Sequence, residues 1–262
     1  MKKKFTFAVI GALGNVGTEM RSILETSDLP IENLVLLDIA QNAGTKVKWR
    51  GEEYTVAESN ADAFSGVDIA IMSAGEGASL ELSPEAVKRG CVVIDNSTAF
   101  RMSQEHPLVI PEVNAEALEN HCGIIANPNC STIQLVVALA PIHKIAKIKR
   151  INVATYQSAS GAGKRSLELL NQQIEASLDG SDGNWEQLYA FNVIPQIDEF
   201  QENSFSKEEM KLVWETQKIL NDYDLLVNAT AVRVPVRVGH AEAINIETEI
   251  GITPDQVREI LS

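Results

Sequence analysis

The chain lacks most of what marks secreted, metal-bound or membrane-embedded proteins. It has three cysteines, Cys91, Cys122 and Cys130. An odd number without paired spacing does not suggest a disulfide framework, and no ligand spacing fits zinc. The four histidines, His106, His121, His143 and His240, form no HxxxH pair. His121 and Cys122 are neighbours on a loop and read as solvent contacts, so no metal is expected. No apolar run approaches the ~18 residues of a membrane span. Met1-Lys2-Lys3-Lys4 leads straight into a short strand with no apolar stretch between, which does not read as a secretory signal. Positive charge is scarce: 22 Lys and Arg against 36 Asp and Glu, a formal net charge of -14. That balance excludes nucleic acid and anionic membrane as general partners. An anionic substrate would need its own local basic pocket. Internal repeats and low-complexity segments are also missing. A soluble protein of the reducing cytoplasm is the expected class.

What is present centres on Ala126-Asn127-Pro128-Asn129-Cys130-Ser131-Thr132. Ile133, Val136, Val137 and Ala140 recur at helical spacing and predict a helix over Ser131 to His143. Pro128 keeps Asn127 extended, so the helix cannot start before the turn. Asn129 is a good N-cap residue, which puts Cys130 at the first helical position. There the unpaired N–H groups and the helix dipole favour thiolate. Such a thiolate can attack a carbonyl and have the oxyanion held by those N–H groups. The competing reading is a buried structural cysteine, since Cys is among the most buried residue types.

The 262 residues, 45% of them hydrophobic, suffice for one large domain or two ordinary ones. Phe5 to Ile10 is an apolar run, followed by Gly11-Ala12-Leu13-Gly14-Asn15-Val16-Gly17 and a helix from Thr18 to Glu25. Strand, glycine turn and helix form the layout of a dinucleotide-binding unit, here in a GxxGxxG variant. A second strand, Asn33 to Leu37, ends in Asp38, where an acidic residue often holds a ribose. The alternation continues with a strand over Val67 to Ser73, a helix over Ser83 to Arg89 and a strand over Cys91 to Asp95. That strand delivers Arg101 beyond its C-terminal end, where ligands bind in parallel sheets. Gly123 to Ala126 is a short strand leading into the cysteine turn.

Beyond the helix the pattern changes. Arg150 to Thr155 is a strand delivering Tyr156-Gln157, then a small-residue turn, Ser158 to Gly163, and a helix from Lys164 to about Leu178. Asp179 to Asn184 reads as a polar loop. Ser206 and Glu209 form a capping box for a helix to Leu220 that carries Glu208 and Lys211 on one face. Leu225 to Val238 reads as strand and contains Arg233. It ends in Gly239-His240, and Ala243 to Glu249 alternates as another strand. The expected fold is α/β: a Rossmann-like parallel-sheet domain over 1–129 and a mixed α+β substrate and dimerisation domain over 130–262.

Asp95-Asn96-Ser97, Val109 to Asn114, Ala126 to Thr132, Thr155-Tyr156-Gln157 with Ser160 to Gly163, and Val232 to Pro235 with Gly239-His240 occur in order. Together, over the whole chain, they resemble the bacterial aspartate-semialdehyde dehydrogenases. The resemblance implies reversible reduction of L-aspartyl 4-phosphate by NADPH to aspartate 4-semialdehyde and phosphate. That step leads toward lysine (through diaminopimelate), threonine and methionine, in a cytoplasmic homodimer or homotetramer. It implies that Cys130 is the nucleophile, His240 the acid/base and Gln157 the residue that orients the substrate. Arg233 would bind the substrate carboxylate, Glu208 would lie near its amino group, and Arg101, Lys211 and Asn129 would bind phosphate. The cofactor would touch Gly11, Leu13, Gly14, Asn15 and Val16 and, near the nicotinamide, Ser160 and Gly161. Arg101, Lys211 and Arg233 would then supply the local field that the acidic chain lacks. Arg237 and His143 have no matched role.

Two departures accompany the resemblance. Family chains are expected to continue past Ser262 with a further strand and helix, and without these poor activity and lower stability are expected. The Arg-Ser pair that reads the NADP 2′-phosphate is replaced by Gln41-Asn42, with Asp38 just upstream. This brings in NAD as an alternative cofactor. Other readings are an N-acetyl-glutamyl-phosphate reductase-like enzyme, an inactive nucleotide-binding scaffold, and a cysteine hydrolase using Cys130 and His240.

Overall fold

The computed structural model describes residues 4–181 and 188–262. Met1 to Lys3, and Asp182-Gly183-Asn184 of the expected polar loop, lie outside the described residues. The chain forms two compact units, Met1–Pro128 and Asn129–Ser262.

In the first unit, β1 (Phe5–Ile10), α1 (Asn15–Thr26) and β2 (Ile31–Asp38) are followed by three short strands. These are β3 (Lys46–Trp49), β4 (Glu52–Thr55) and β5 (Ala57–Glu58). Then come β6 (Ile69–Met72), α2 (Glu76–Lys88), β7 (Val92–Asp95), the single turn α3 (Pro111–Asn114) and β8 (Ile124–Ala126). Six strands form one parallel sheet in the order β5-β2-β1-β6-β7-β8. Val9, Ile10, Leu36, Leu37 and Met72 are fully buried, the continuous apolar pattern of strands covered on both faces. Strand order reverses at β1, so a ligand crevice opens where the chain leaves β1 and β6. Gly11 occupies that point at φ +72°, and a Cβ there would lie 2.5 Å from the Ser73 carbonyl oxygen. Only glycine fits.

The second unit holds α4 (Cys130–Ala146), β9 (Ile148–Gln157), α5 (Lys164–Asp179), α6 (Lys207–Leu220), β10 (Leu226–Arg233), β11 (Ala241–Thr248) and α7 (Pro254–Ile260). β9 is central, with β10 parallel on one side and β11 antiparallel on the other. Leu135, Leu139 and Ile142 of α4 and Leu212 of α6 share a core with Ile151 and Val153 of β9. Register does the positioning: Arg233 pairs with Gln157 and Ala241 with Tyr156. Gln157, Arg233 and the residue before β11, His240, therefore come to one end of the sheet.

Several boundaries differ from the sequence reading. α1 begins at Asn15 rather than Thr18, because Gly14 is its cap. α2 begins at Glu76 rather than Ser83 and keeps Pro84 inside it. β10 stops at Arg233 rather than Val238. Pro235 has no N–H for a ladder, and the Val236 N–H turns back to the Val234 carbonyl. The antiparallel pair β3–β4 and helix α7 had no counterpart in the sequence reading.

Candidate active site

The second unit carries the expected catalytic residues and every expected substrate-binding residue but Arg101. Asn129 caps α4 with extended backbone, φ -60° and ψ 145°, and Cys130 is the first helical residue, exposed. The Asn129 carboxamide oxygen accepts from the Ser131 N–H at 2.9 Å and the Thr132 N–H at 3.4 Å. The Ile133 N–H bonds the Asn129 carbonyl. This corrects one expectation. Three of the first helical N–H groups are spent on Asn129, so they are not donors waiting for an oxyanion.

Glu208, 5% exposed, is the hub behind that turn. Its Oε1 accepts from Asn129 Nδ2 at 3.0 Å and Gln157 Nε2 at 2.9 Å, and its Oε2 from Lys211 Nζ at 2.9 Å. Burial works to raise the Glu208 carboxyl, but Lys211, Gln157 and Asn129 outweigh it and hold it below the ordinary range. Lys211 also donates to Asp198 Oδ2 at 2.9 Å. Burial opposes its charge, yet Glu208 and Asp198 keep it above its ordinary value. Gln157 is clamped at both ends, since its Oε1 accepts from Thr155 Oγ1 at 3.0 Å.

Arg233, 7% exposed, donates from Nη1 to the Ser158 carbonyl at 2.9 Å. Burial lowers its pKa, while Glu208 and Cys130 act the other way. His240 takes the Ser158 main-chain N–H on Nδ1 at 3.0 Å. Its pKa lies below the ordinary value because of burial first and Arg233 next; Gly239 and Glu208 act in the opposite sense. Gly161 lies against both groups: a Cβ there would sit 3.0 Å from His240 Nε2 and 3.1 Å from Arg233 Nη1. Ser160 Oγ is 3.0 Å from Ser158 Oγ.

The first unit carries the remaining expected residues. Arg101 is 7% exposed and donates to the Asn127 and Asn96 carbonyls, each at 2.9 Å. It joins the loops that follow β8 and β7. At the glycine turn, Gly14 caps α1, and Asn15 Nδ2 is buried with no hydrogen-bond partner among the described residues. Such a buried donor, on a helix N-terminus, fits a phosphate-bearing nucleotide. Asp38 departs from expectation. Its Oδ2 accepts from the Leu13 N–H at 2.8 Å, and its Oδ1 from the Ile39 N–H at 2.9 Å and Asn42 Nδ2 at 2.8 Å. Three of about four lone-pair positions are taken. Asp38 therefore braces the glycine turn against the next loop, and Asn42 is tied to it. Gln41 is exposed.

Sequence reasoning missed Glu215, Asp198 and Ser158. Glu215 accepts the Asn129 N–H, and its one signal was its place two helical turns from Glu208 on the same face of α6. Ser158 acts through its backbone, which leaves no mark in a sequence.

Comparison with known proteins places residues 6–121 in the family described as "Semialdehyde dehydrogenase, NAD binding domain" and residues 139–262 in "Semialdehyde dehydrogenase, dimerisation domain". The aspartate-semialdehyde dehydrogenase of Bacillus subtilis is 48% identical over 252 residues, covering 92% of this chain and 73% of that protein. Aspartate-semialdehyde dehydrogenase 2 of Vibrio cholerae is 47% identical over 268 residues, covering 100% of this chain and 79% of that one. A crystal structure of aspartate semialdehyde dehydrogenase II from Vibrio cholerae, complexed with ASA, matches with a TM-score of 0.94 and 46% identity. It covers 99% of this chain and 79% of that one.

Proposed function

The chain belongs to the aspartate-semialdehyde dehydrogenase family, and from that premise we propose that it interconverts L-aspartyl 4-phosphate and aspartate 4-semialdehyde with a nicotinamide cofactor and phosphate. The observation that carries this reading is Cys130, exposed at the first position of α4, on a turn tied by Asn129 to the Glu208 hub. Cys130 Sγ forms the covalent bond to the substrate carbonyl carbon. Arg233 binds the substrate carboxylate. Glu208, held ionised, faces the amino group, and Gln157 orients the substrate. Lys211, Arg101 and Asn129 serve the phosphate, and His240 works at the carbonyl oxygen. Within the second unit, Lys211 and Arg233 supply the local positive charge that the acidic chain as a whole lacks.

The turn Gly11, Leu13, Gly14, Asn15 and Val16 holds the nucleotide, with Ser160 and Gly161 toward the nicotinamide. The orphaned Asn15 Nδ2 supports this. When bound, the nicotinamide accepts or returns a hydride at the substrate carbon. NADP is the first cofactor. NAD is the second reading, because Asp38 to Thr45 contain no cation to meet a 2′-phosphate. The protein works in the cytoplasm as a homodimer or homotetramer through residues 139–262. The exposed Tyr156 and Leu226 on the outer face of the β9–β10 pair support association there.

The test is turnover of aspartate semialdehyde with phosphate and each oxidised cofactor, followed by nicotinamide absorbance. Cys130→Ala should abolish it. No turnover by the parent with either cofactor, or substantial turnover by the alanine variant, overturns the reading.

A further inference from the structure

We propose that Asp95, fully buried at the C-terminal end of β7, is the positioning residue for Arg101: it builds the loop that carries Arg101 and fixes the two carbonyls on which the guanidinium rests. The inference rests on the proposed role of Arg101 at phosphate. A carboxylate taken out of water needs hydrogen bonds to both of its oxygens, and Asp95 draws them from α2 and from its own loop. Its Oδ1 accepts from Ser79 Oγ at 2.7 Å and from the Ser97 N–H at 3.1 Å. Its Oδ2 accepts from Ser97 Oγ at 2.8 Å.

Each bond leads to the next, toward Arg101. Ser97 Oγ, while donating to Asp95, accepts the Ala99 N–H at 3.1 Å. The chain is thereby folded back on Asp95 just ahead of Arg101. The Asp95 main chain holds the other side: its carbonyl accepts the Asn127 N–H at 2.7 Å, and Asn127 Nδ2 donates to Asn96 Oδ1. Arg101 then donates from Nε to the Asn127 carbonyl and from Nη2 to the Asn96 carbonyl. Asn96 follows Asp95 directly and Asn127 is bonded to it, so both acceptors take their places from one residue.

The carboxylate is needed for this, and not merely a side chain of its size. Asparagine has one acceptor oxygen in place of two, so one group of donors, the Ser97 hydroxyl or the Ser79 hydroxyl with the Ser97 N–H, loses its acceptor. The loop then loosens, and the guanidinium fork loses the fixed geometry that planar recognition of a phosphate depends on. Arg233 and Glu208, proposed to hold the aldehyde, lie in the second unit and share none of these bonds. The effect should therefore fall on phosphate and spare the aldehyde.

The experiment follows the Arg101 Nε–H of the 15N-arginine-labelled chain by NMR, assigned by its loss in Arg101→Lys, while inorganic phosphate is titrated in. In the parent that hydrogen should exchange slowly with water and shift as phosphate binds. Asp95→Asn should speed the exchange and raise the phosphate Kd about tenfold. Ser97→Ala, a milder change that removes the bonds to Asp95 Oδ2 and to the Ala99 N–H, should act in the same direction and decides the matter if Asp95→Asn fails to fold. In turnover, the KM for phosphate should rise while that for aspartate semialdehyde holds, a split that general loosening of the fold does not give. Unchanged exchange and unchanged phosphate Kd in Ser97→Ala, or equal rises in both KM values, overturn the proposal. If phosphate leaves the parent's Arg101 resonance unmoved, the reading of Arg101 as a phosphate group fails, and the exchange rates alone decide whether Asp95 positions it.

Discussion

The main-chain N–H of Asn129 donates to Oε2 of Glu215 at 2.6 Å, across 86 residues of chain. The cap of the cysteine helix is thereby fixed to α6 through its backbone as well as through the Asn129–Glu208 side-chain bond. Glu215 is buried. Glu215→Ala leaves a buried N–H without its partner, which costs about 1–3 kcal/mol. At roughly 2–4 °C per kcal/mol for a domain of this size, the melting temperature should fall by several degrees. Alkylation of Cys130 should slow in the same variant. A melt within one degree of the parent, at unchanged alkylation rate, contradicts the coupling.

The three thiols should separate cleanly under iodoacetamide. Cys91 is buried, and burial pushes its thiol up to about 11, so it reacts last. Cys122 is exposed but sits on no helix start. Cys130 should be labelled first, as read by peptide mass spectrometry over a time course. Earlier labelling of Cys122 removes the case for an activated Cys130.

Cofactor preference should respond to Gln41 and not to Asp38. A unit charge at ~5 Å in an effective dielectric near 20 is on the order of 3 kcal/mol. Solvent reduces this, but a tenfold change needs only ~1.4 kcal/mol. Gln41→Arg should therefore raise the NADPH-to-NADH ratio of kcat/KM about tenfold. Asp38→Ala removes acceptors from Leu13, Ile39 and Asn42. It should weaken both cofactors and lower the melting temperature without shifting the ratio. A ratio unmoved by Gln41→Arg, or moved chiefly by Asp38→Ala, reverses the assignment.

Glu242 on β11 makes a pH signature. Both carboxyl oxygens are buried, and burial pushes the group up to about 7, with the Gln134 side chain opposing. Between its ordinary 4.5 and about 7, the folded chain keeps a proton that the unfolded chain has lost. Stability therefore falls as pH rises through that window. Glu242→Gln should melt higher than the parent at pH 8, by on the order of 1 kcal/mol after allowance for solvent screening. The two should melt alike near pH 4.5. Equal melting at pH 8 refutes the assignment.

Local chemistry was legible where the physics is local. Asn129 before an apolar-periodic helix is a cap in any context, so Cys130 stands at the predicted first position. The Ser206–Glu209 box opens α6 as read, for the same reason. The turn after β1 demands glycine because Gly11 runs against Ser73, and the GxxGxxG spacing announced such a demand without naming the neighbour.

Tertiary structure decided which partner each polar atom takes. Asp38 stood where a ribose binder belongs, but the fold brings the Leu13 N–H within 2.8 Å of its carboxylate and makes it a brace. The helix N–H groups beside Cys130 looked available until the Asn129 side chain took them. The His240 ring meets a main-chain N–H 82 residues earlier in the chain, brought close by the pairing of β9 with β11. Spacing and capping act over one helical turn and can be read from neighbours in sequence. Hydrogen-bond partnership across 50 to 90 residues is set by strand register and helix packing, and no local pattern encodes it.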